Sequence, residues 1–420
     1  MTTAPAGASA PLVVRTTRIA DPGPLLDLLP TSPALSWVRR GQGLVGWGEA
    51  ARFESGGPNR FTAAREWWGH RVAHAVVRDE VGLPGSGPVA FGSFAFDARS
   101  PRGGALVVPR VLIGAREGMW WVTTTSADGR LPDSPPRLAR HAAEDPGQVT
   151  YADGARSGAE WAQVVGEAVE RIAAGAVDKV VLARDLEARA ERPVDLRWLL
   201  RNLAARYPGC WTFAVDGLVG ATPELLVRLE RGLVHSRVLA GTIRRTGDDA
   251  HDLALAGSLA RSSKDLEEHE YAVRSAADAL APHCSSMNVP ETPFVLHLPN
   301  VMHLATDVAG VLADGVTALA LAEALHPTAA VCGTPTVAAR DLIRELEGMD
   351  RGRYAGPVGW MDGRGDGEWG IALRCGEVDP DDASRLRLLA GCGIVAGSVP
   401  EEELAESDAK LVPMRDALAG

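Results

Sequence analysis

The last two dozen residues of the 420-residue chain carry its densest chemical pattern. Glu403, Glu406 and Lys410 stand at i, i+3 and i+7, which on an α-helix is one face. Two carboxylates one turn apart can offer oxygen ligands to a hard divalent cation such as Mg²⁺. The same pair would equally suit a solvated first turn, where acidic groups offset the helix dipole. Asp265 and Glu268 repeat the i, i+3 spacing within SSKDLEEHEYAVRSAADALA (262–281). Glu268, however, lies opposite the apolar stripe of Leu266, Val273, Ala277 and Leu280, where a plain surface residue would also lie.

Of the 43 basic residues only Lys179, Lys264 and Lys410 are lysine, and the other 40 are arginine. Arginine cannot release its proton in a protein, whereas a buried lysine can act as a base, so each lysine retained in this background is a candidate. Lys179 opens the apolar run KVVLAR. Burial there would lower its pKa from about 10.4, while an exposed strand end would leave it an ordinary cation. Glu224, in GATPELLVRL, lies between a turn and an apolar run and could be a general acid or a strand-edge carboxylate. Gly391 and Gly393, in AGCGIVAGS, would let backbone amides approach an anion. Cys392 between them has no paired histidine and reads as a small strand residue. GRGDGEWG (363–370) falls in a hairpin rather than a strand-to-helix turn, so it is not a nucleotide fingerprint.

The elements that must position these groups alternate between strands and helices. Hairpin or strand patterns run through 37–50, 88–97 and 110–124, followed by a Pro/Asp/Ser-rich connection at 125–150. Helical spacing appears at 159–175, 262–281, 316–325 and 336–348, and a last helix starts at Pro400. Strands are expected at 178–189, in CWTFAVD, LVGATPELLVRLE and GLVHSRV, as a pair about a Gly/Asp turn at 354–378, and at 385–395. The first ~20 residues are Ala/Thr/Pro-rich and are expected to fray.

Composition excludes several classes. A net charge of −11 and a pI of about 5.5 argue against binding nucleic acid or a membrane surface. No run approaches the roughly 18 apolar residues of a membrane span. The N-terminus lacks the basic-then-apolar plan of a secretory signal. The five cysteines are scattered, with no CxxC, which suits a reducing cytoplasm and no zinc site.

The second half closely resembles the chorismate-utilising enzymes, namely the isochorismate, salicylate, anthranilate and aminodeoxychorismate synthases. The matching strings are KVVLAR, GATPELLVRL, LAGT, SSKDLEEHEYAV, VMHLATDVAG, LHPTAAVCGTP, RYAGPVGW, GDGEWGIALR and AGCGIVAGSVPEEELAES, with the closing Lys410. They run in family order from roughly 155 to 415, and GLVGWGEA and GSFAFD nearer the N-terminus also look like this family. The resemblance implies an α+β fold with large, mostly antiparallel β-sheets packed face to face and helices outside. Residues 1–150 and 151–420 would then belong to one compact structural domain. It also implies Mg²⁺ as cofactor, held by Glu268, Glu403 and Glu406 with Asp265 nearby, and chorismate as substrate. Lys179 would be the base on the nucleophile side of the ring and Glu224 the acid beside the leaving hydroxyl. Gly241, Thr242, His303, Tyr354, Arg374, Gly391, Gly393 and Lys410 match substrate-contacting positions.

Two positions discriminate among the relatives. Isochorismate and salicylate synthases have lysine at the place of Lys179, where it activates water, and anthranilate synthases, which use ammonia, lack it. Isochorismate synthases tend to have alanine at the place of Ala330, and the others tend to have threonine. The resemblance therefore implies an isochorismate synthase, in which water attacks C2 of chorismate and the C4 hydroxyl leaves. A salicylate synthase, which adds pyruvate elimination, an aminating enzyme and an inactive chorismate-binding regulator are the alternatives, although the complete set of acidic and lysine positions argues against the last. No glutaminase segment is recognisable, so no obligatory glutaminase partner is expected. The chain is expected to be a cytoplasmic monomer with no nucleic-acid or membrane partner. Whether the product feeds menaquinone or siderophore synthesis stays open.

Overall fold

Helix starts in the chain are set by short polar side chains. Ser157, Asp195, Asp248, Ser262 and Thr317 each accept a backbone N–H from the first turn of the helices Gly158–Ala173, Leu196–Arg206, Asp249–Leu259, Ser263–Leu280 and Ala318–Leu325. Each such cap is worth about 1 kcal/mol. Pro400 takes the first position of the helix Pro400–Ala419, where a missing N–H costs nothing, and Glu401, Glu402 and Glu403 fill the first turn. The computed structural model describes residues 10–420 apart from 32, 133, 135, 300 and 314, and apart from the side chains at 264 and 268.

Two-residue turns make the hairpins. Ala34–Arg39 and Gln42–Ser55 join through Arg40 (φ 52°) and Gly41 (φ 75°), both in the left-handed conformation that matches strand twist. Glu117 (φ 50°) and Gly118 (φ 77°) do the same between Gly104–Arg116 and Met119–Ser126. The segment 110–124, expected as one strand, is therefore parts of two.

Hydrogen bonds link all 21 strands among the described residues into one network, and the only parallel pair in it is Val13–Ile19 with Val76–Asp79. The α+β expectation holds: the strands are almost all antiparallel, with helices packed on them. Ala34–Arg39 pairs with Trp211–Val215, and Val89–Phe94 with Pro357–Asp362, so strands from either side of residue 150 are bonded to one another. The largest core cluster likewise draws Trp37, Phe91 and Leu106 from the first part and Val180, Phe213 and Trp369 from the second. A second cluster packs Leu199 and Leu203 of one helix and Leu411, Met414 and Leu418 of the last helix onto Leu186 and Leu388. That packing fixes the C-terminal helix against the strand Arg385–Ile394. Among the described residues no helix is long and apolar enough to cross a membrane.

The expected frayed start is corrected from residue 13 onward. Val13–Ile19 is a strand between Val76–Asp79 and Met119–Ser126, with Val14 buried and the hydroxyls of Thr16 and Thr123 2.7 Å apart. Residues 1–9 lie outside the described residues.

Candidate active site

A cavity of about 330 Å³ opens among the start of the strand Lys179–Ala190, the break before the strand Leu225–Glu230, the ribbon Leu233–Arg244 with Val301–Leu312, the end of the strand Arg385–Ile394 and the C-terminal helix, with the helix Ser263–Leu280 and the segments around Ala330, Tyr354 and Arg374 also reaching it. Lys179, Glu224, Gly241, Thr242, Asp265, His303, Ala330, Tyr354, Arg374, Gly391, Gly393, Glu403, Glu406 and Lys410 all line it. Of the residues singled out in the sequence, the side chains of Glu268 and Lys264 are not placed. Both belong to the same helix as Asp265, but their side chains lie outside the described residues.

Glu224 sits in an interruption. The run LVGATPELLVRLE divides into Leu218–Thr222 and Leu225–Glu230, because Pro223 has no N–H to give a ladder. Thr222 Oγ1 accepts the Glu224 N–H at 3.2 Å, and the Ile371 N–H donates to the Glu224 carbonyl at 3.2 Å. The side chain is buried. Burial pushes its carboxyl up to about 8, against the opposing pull of the Lys179, Arg374 and Lys410 cations. The group is thus protonated at neutral pH and able to give up a proton.

Across the cavity a β-bulge sets the register. Gly241 (φ 77°) is the extra residue between Ala240 and Thr242, and beyond it Thr242 faces His303. A Cβ at Gly241 would stand 3.3 Å from the Cβ of Asp265, so glycine lets the helix Ser263–Leu280 approach the ribbon. Thr242 Oγ1 and His303 Nδ1 are 3.0 Å apart. Burial, reinforced by the charges of Arg374 and Lys410, lowers the His303 pKa to about 3, so its imidazole is neutral. His303 Nε2 is buried and has no hydrogen-bond partner among the described residues, which leaves it for a ligand. Burial also raises the Tyr354 phenol to about 12. Arg374 holds a left-handed backbone (φ 48°) between two strands, anchored by the Ala221 N–H to its carbonyl at 3.1 Å.

The acidic end is built on the last helix. Ligand atoms of Glu403, Glu406 and Cys392 lie within 4.8 Å of one another. Lys410 Nζ is 2.6 Å from Glu406 Oε1 and donates to the Gly391 carbonyl at 3.0 Å. Although burial favours the neutral acid, the Lys410 ammonium holds the Glu406 carboxyl below its ordinary value. In return, and against its own burial, Lys410 is held above the ordinary lysine value by Glu406. Burial raises the Cys392 thiol far above its usual range, and Sγ donates to the Glu403 carbonyl at 3.2 Å. A protonated thiol is a poor ligand, so the donor set is hard carboxylate oxygen and fits a cation such as Mg²⁺ better than a thiophilic metal.

Four contributors escape a reading of the sequence. Ser398 donates to Glu403 Oε1 at 2.7 Å, and Glu402 also lines the cavity. Arg351, buried against Glu347, donates to the carbonyls of Val331 (2.9 Å) and Val181 (2.6 Å), while Glu347 Oε1 accepts the Ala183 N–H at 2.7 Å. This pair ties the strand that begins at Lys179 to the segment that carries Ala330. Its one sequence signal is an i, i+4 pair of opposite charge, which is common on helix surfaces.

A sequence profile described as chorismate binding enzyme matches residues 35–419. The chain belongs to the chorismate binding enzyme family. Within this family it is 43% identical over 266 residues to the isochorismate synthase DhbC of Bacillus subtilis (strain 168), a match covering 60% of this chain and 66% of that protein. It is 34% identical over 415 residues to the salicylate biosynthesis isochorismate synthase of Pseudomonas aeruginosa, covering 92% of this chain and 85% of that one. The solved structure of the menaquinone-specific isochorismate synthase MenF from Escherichia coli superposes with a TM-score of 0.79 at 25% identity, over 98% of this chain and 95% of that one.

Proposed function

We infer that this chorismate binding enzyme is an isochorismate synthase, converting chorismate to isochorismate. The observation that carries the reading is Glu224: a buried carboxyl, protonated at neutral pH, set among cations in a cavity that also holds Lys179. In this reading Glu224 gives its proton to the C4 hydroxyl, which departs as water. Lys179 takes a proton from the water that attacks C2, and the ring double bonds shift between the two carbons. One acid and one base on opposite sides of the ring suffice for a reversible hydroxyl transposition. Arg374 and Lys410 offset the charge of a dianionic substrate on a protein whose own net charge is −11. The names of the relatives support the same activity.

Glu403 and Glu406, with Asp265 and, from the resemblance, Glu268, would hold a Mg²⁺ ion. When bound, such an ion neutralises the substrate carboxylate and orients the ring. Ala330 offers no hydroxyl at the place where salicylate-forming and aminating relatives tend to have threonine, and it thereby favours release of isochorismate. The test is chromatography of the products from chorismate and Mg²⁺, with and without ammonium. Isochorismate should predominate under both conditions. Salicylate with pyruvate, or an aminated ring that depends on ammonium, would overturn the assignment.

A further inference from the structure

A small separate void of about 10 Å³ adjoins Glu224. Glu224 and Ala330 line both spaces, and Thr328, Ser236, Val238, Ala272 and Ala276 help close the smaller one. A void of this size has room for about one water molecule, and a water needs polar partners to stay there. Thr328 Oγ1 is buried and has no hydrogen-bond partner among the described residues, although its own carbonyl accepts the Val331 and Cys332 N–H groups. Ser236 is buried on the facing strand. An orphaned hydroxyl and a buried carboxyl thus border one water-sized space.

We propose that this void holds one ordered water bridging the Thr328 hydroxyl to the Glu224 carboxyl, and that Thr328 is a positioning residue for the acid. This rests on the reading of Glu224 as proton donor. A protonated carboxyl has one oxygen that accepts and one that donates. A water donating from the void, together with the Leu239 N–H, would hold the accepting oxygen and leave the O–H turned toward the substrate. The charged groups acting on Glu224 from the main cavity are Lys179, Arg374 and Lys410, and Arg237 borders the void. The Leu239 N–H already donates to the Glu224 carboxyl, and the water would be a second fixed donor beside it.

Thr328→Val keeps the shape and removes the hydroxyl, and Thr328→Ser keeps the hydroxyl. With Thr328→Val, kcat for isochorismate formation should fall about tenfold, the kinetic weight of one well-placed hydrogen bond, with KM for chorismate within about twofold. The alkaline limb of the kcat profile should move up by about half a pH unit, because the Glu224 anion loses a donor. Thr328→Ser should restore both. Unchanged kcat and limb in Thr328→Val, or a Thr328→Ser as impaired as Thr328→Val, would overturn the proposal. A high-resolution crystal structure of the wild type should show the water between the two side chains, and a dry void there would also overturn it. If the wild type forms no isochorismate, the functional reading fails first, and the crystallographic result still decides the hydration of Glu224.

Discussion

Replacing Glu224 with glutamine should make the protein more stable as it becomes inactive, and the gain should depend on pH. Glu224 titrates at about 8 in the fold against 4.5 as an ordinary carboxyl. Its folded pKa is raised, so between those values the folded state holds a proton that the unfolded chain has released, and stability falls as pH rises. The loss runs at about 1.4 kcal/mol per pH unit, which makes roughly 3 kcal/mol by pH 7 and roughly 5 kcal/mol above pH 8, where it levels off. Glutamine does not titrate. Glu224→Gln and wild type should therefore unfold alike near pH 4.5 and diverge steadily above it. With an unfolding entropy of about 2 cal/mol/K per residue over a chain of this length, 3 kcal/mol corresponds to roughly 3–4 °C in Tm. Thermal unfolding of both proteins in parallel from pH 5 to 9 measures the difference. Loss of a general acid should meanwhile lower kcat by about 100- to 10,000-fold. If the Tm difference stays flat across that range, or if Glu224→Gln turns over at near wild-type rate, the picture of a buried, neutral proton donor is wrong.

Lys179→Ala should abolish turnover with the fold intact by circular dichroism, and Lys179→Arg should do little better, since guanidinium keeps its proton; an active Arg variant would reduce Lys179 to an electrostatic anchor. Chelation by EDTA should remove activity and Mg²⁺ restore it, and Glu406→Gln should weaken calorimetric Mg²⁺ binding at least about tenfold; full activity in chelator would eliminate the metal. Ala330→Thr should cut isochorismate formation and gain ammonium-dependent or eliminated product by chromatography, because one hydrogen bond of about 1 kcal/mol is enough to shift partition several-fold. Glu347→Ala strands the buried Arg351 guanidinium and should cost about 3–5 kcal/mol in denaturant unfolding; a loss below about 1 kcal/mol would mean that the pair does not hold the cavity floor.

Local signals made the helices around the cavity legible. Ser262 stands beside an amphipathic run and Pro400 heads an acidic first turn, and both helices begin where those residues say. Strands whose partners are distant were harder to read. Val13–Ile19 looks like a polar tail until Met119–Ser126, a hundred residues away, completes it. The helix Arg60–Ala73 has no side-chain cap, and both it and Leu196–Arg206 carry their apolar residues among arginines. Within the site, the shared face of Glu403, Glu406 and Lys410 follows from spacing alone, yet spacing could not choose between a metal site and a solvated turn. No periodicity links residues 179, 224, 303 and 374. Their convergence depends on a bulge at Gly241 and a strand break at Pro223, and only the resemblance to a family pointed to it.

Because Lys179 and Lys410 both open on one cavity, two of the three side-chain amines in the whole chain are concentrated in about 330 Å³. On most proteins an acylating reagent scatters over dozens of surface ammonium groups before it touches function. Here the forty guanidiniums decorating the chain are inert to such a reagent, so labelling could be counted in single acyl groups by mass. Lys410 is held as a charged partner of Glu406, and Lys179 opens on the same cavity. A substrate occupying the cavity would shield it, and loss of that one mass increment would report binding with no catalysis required.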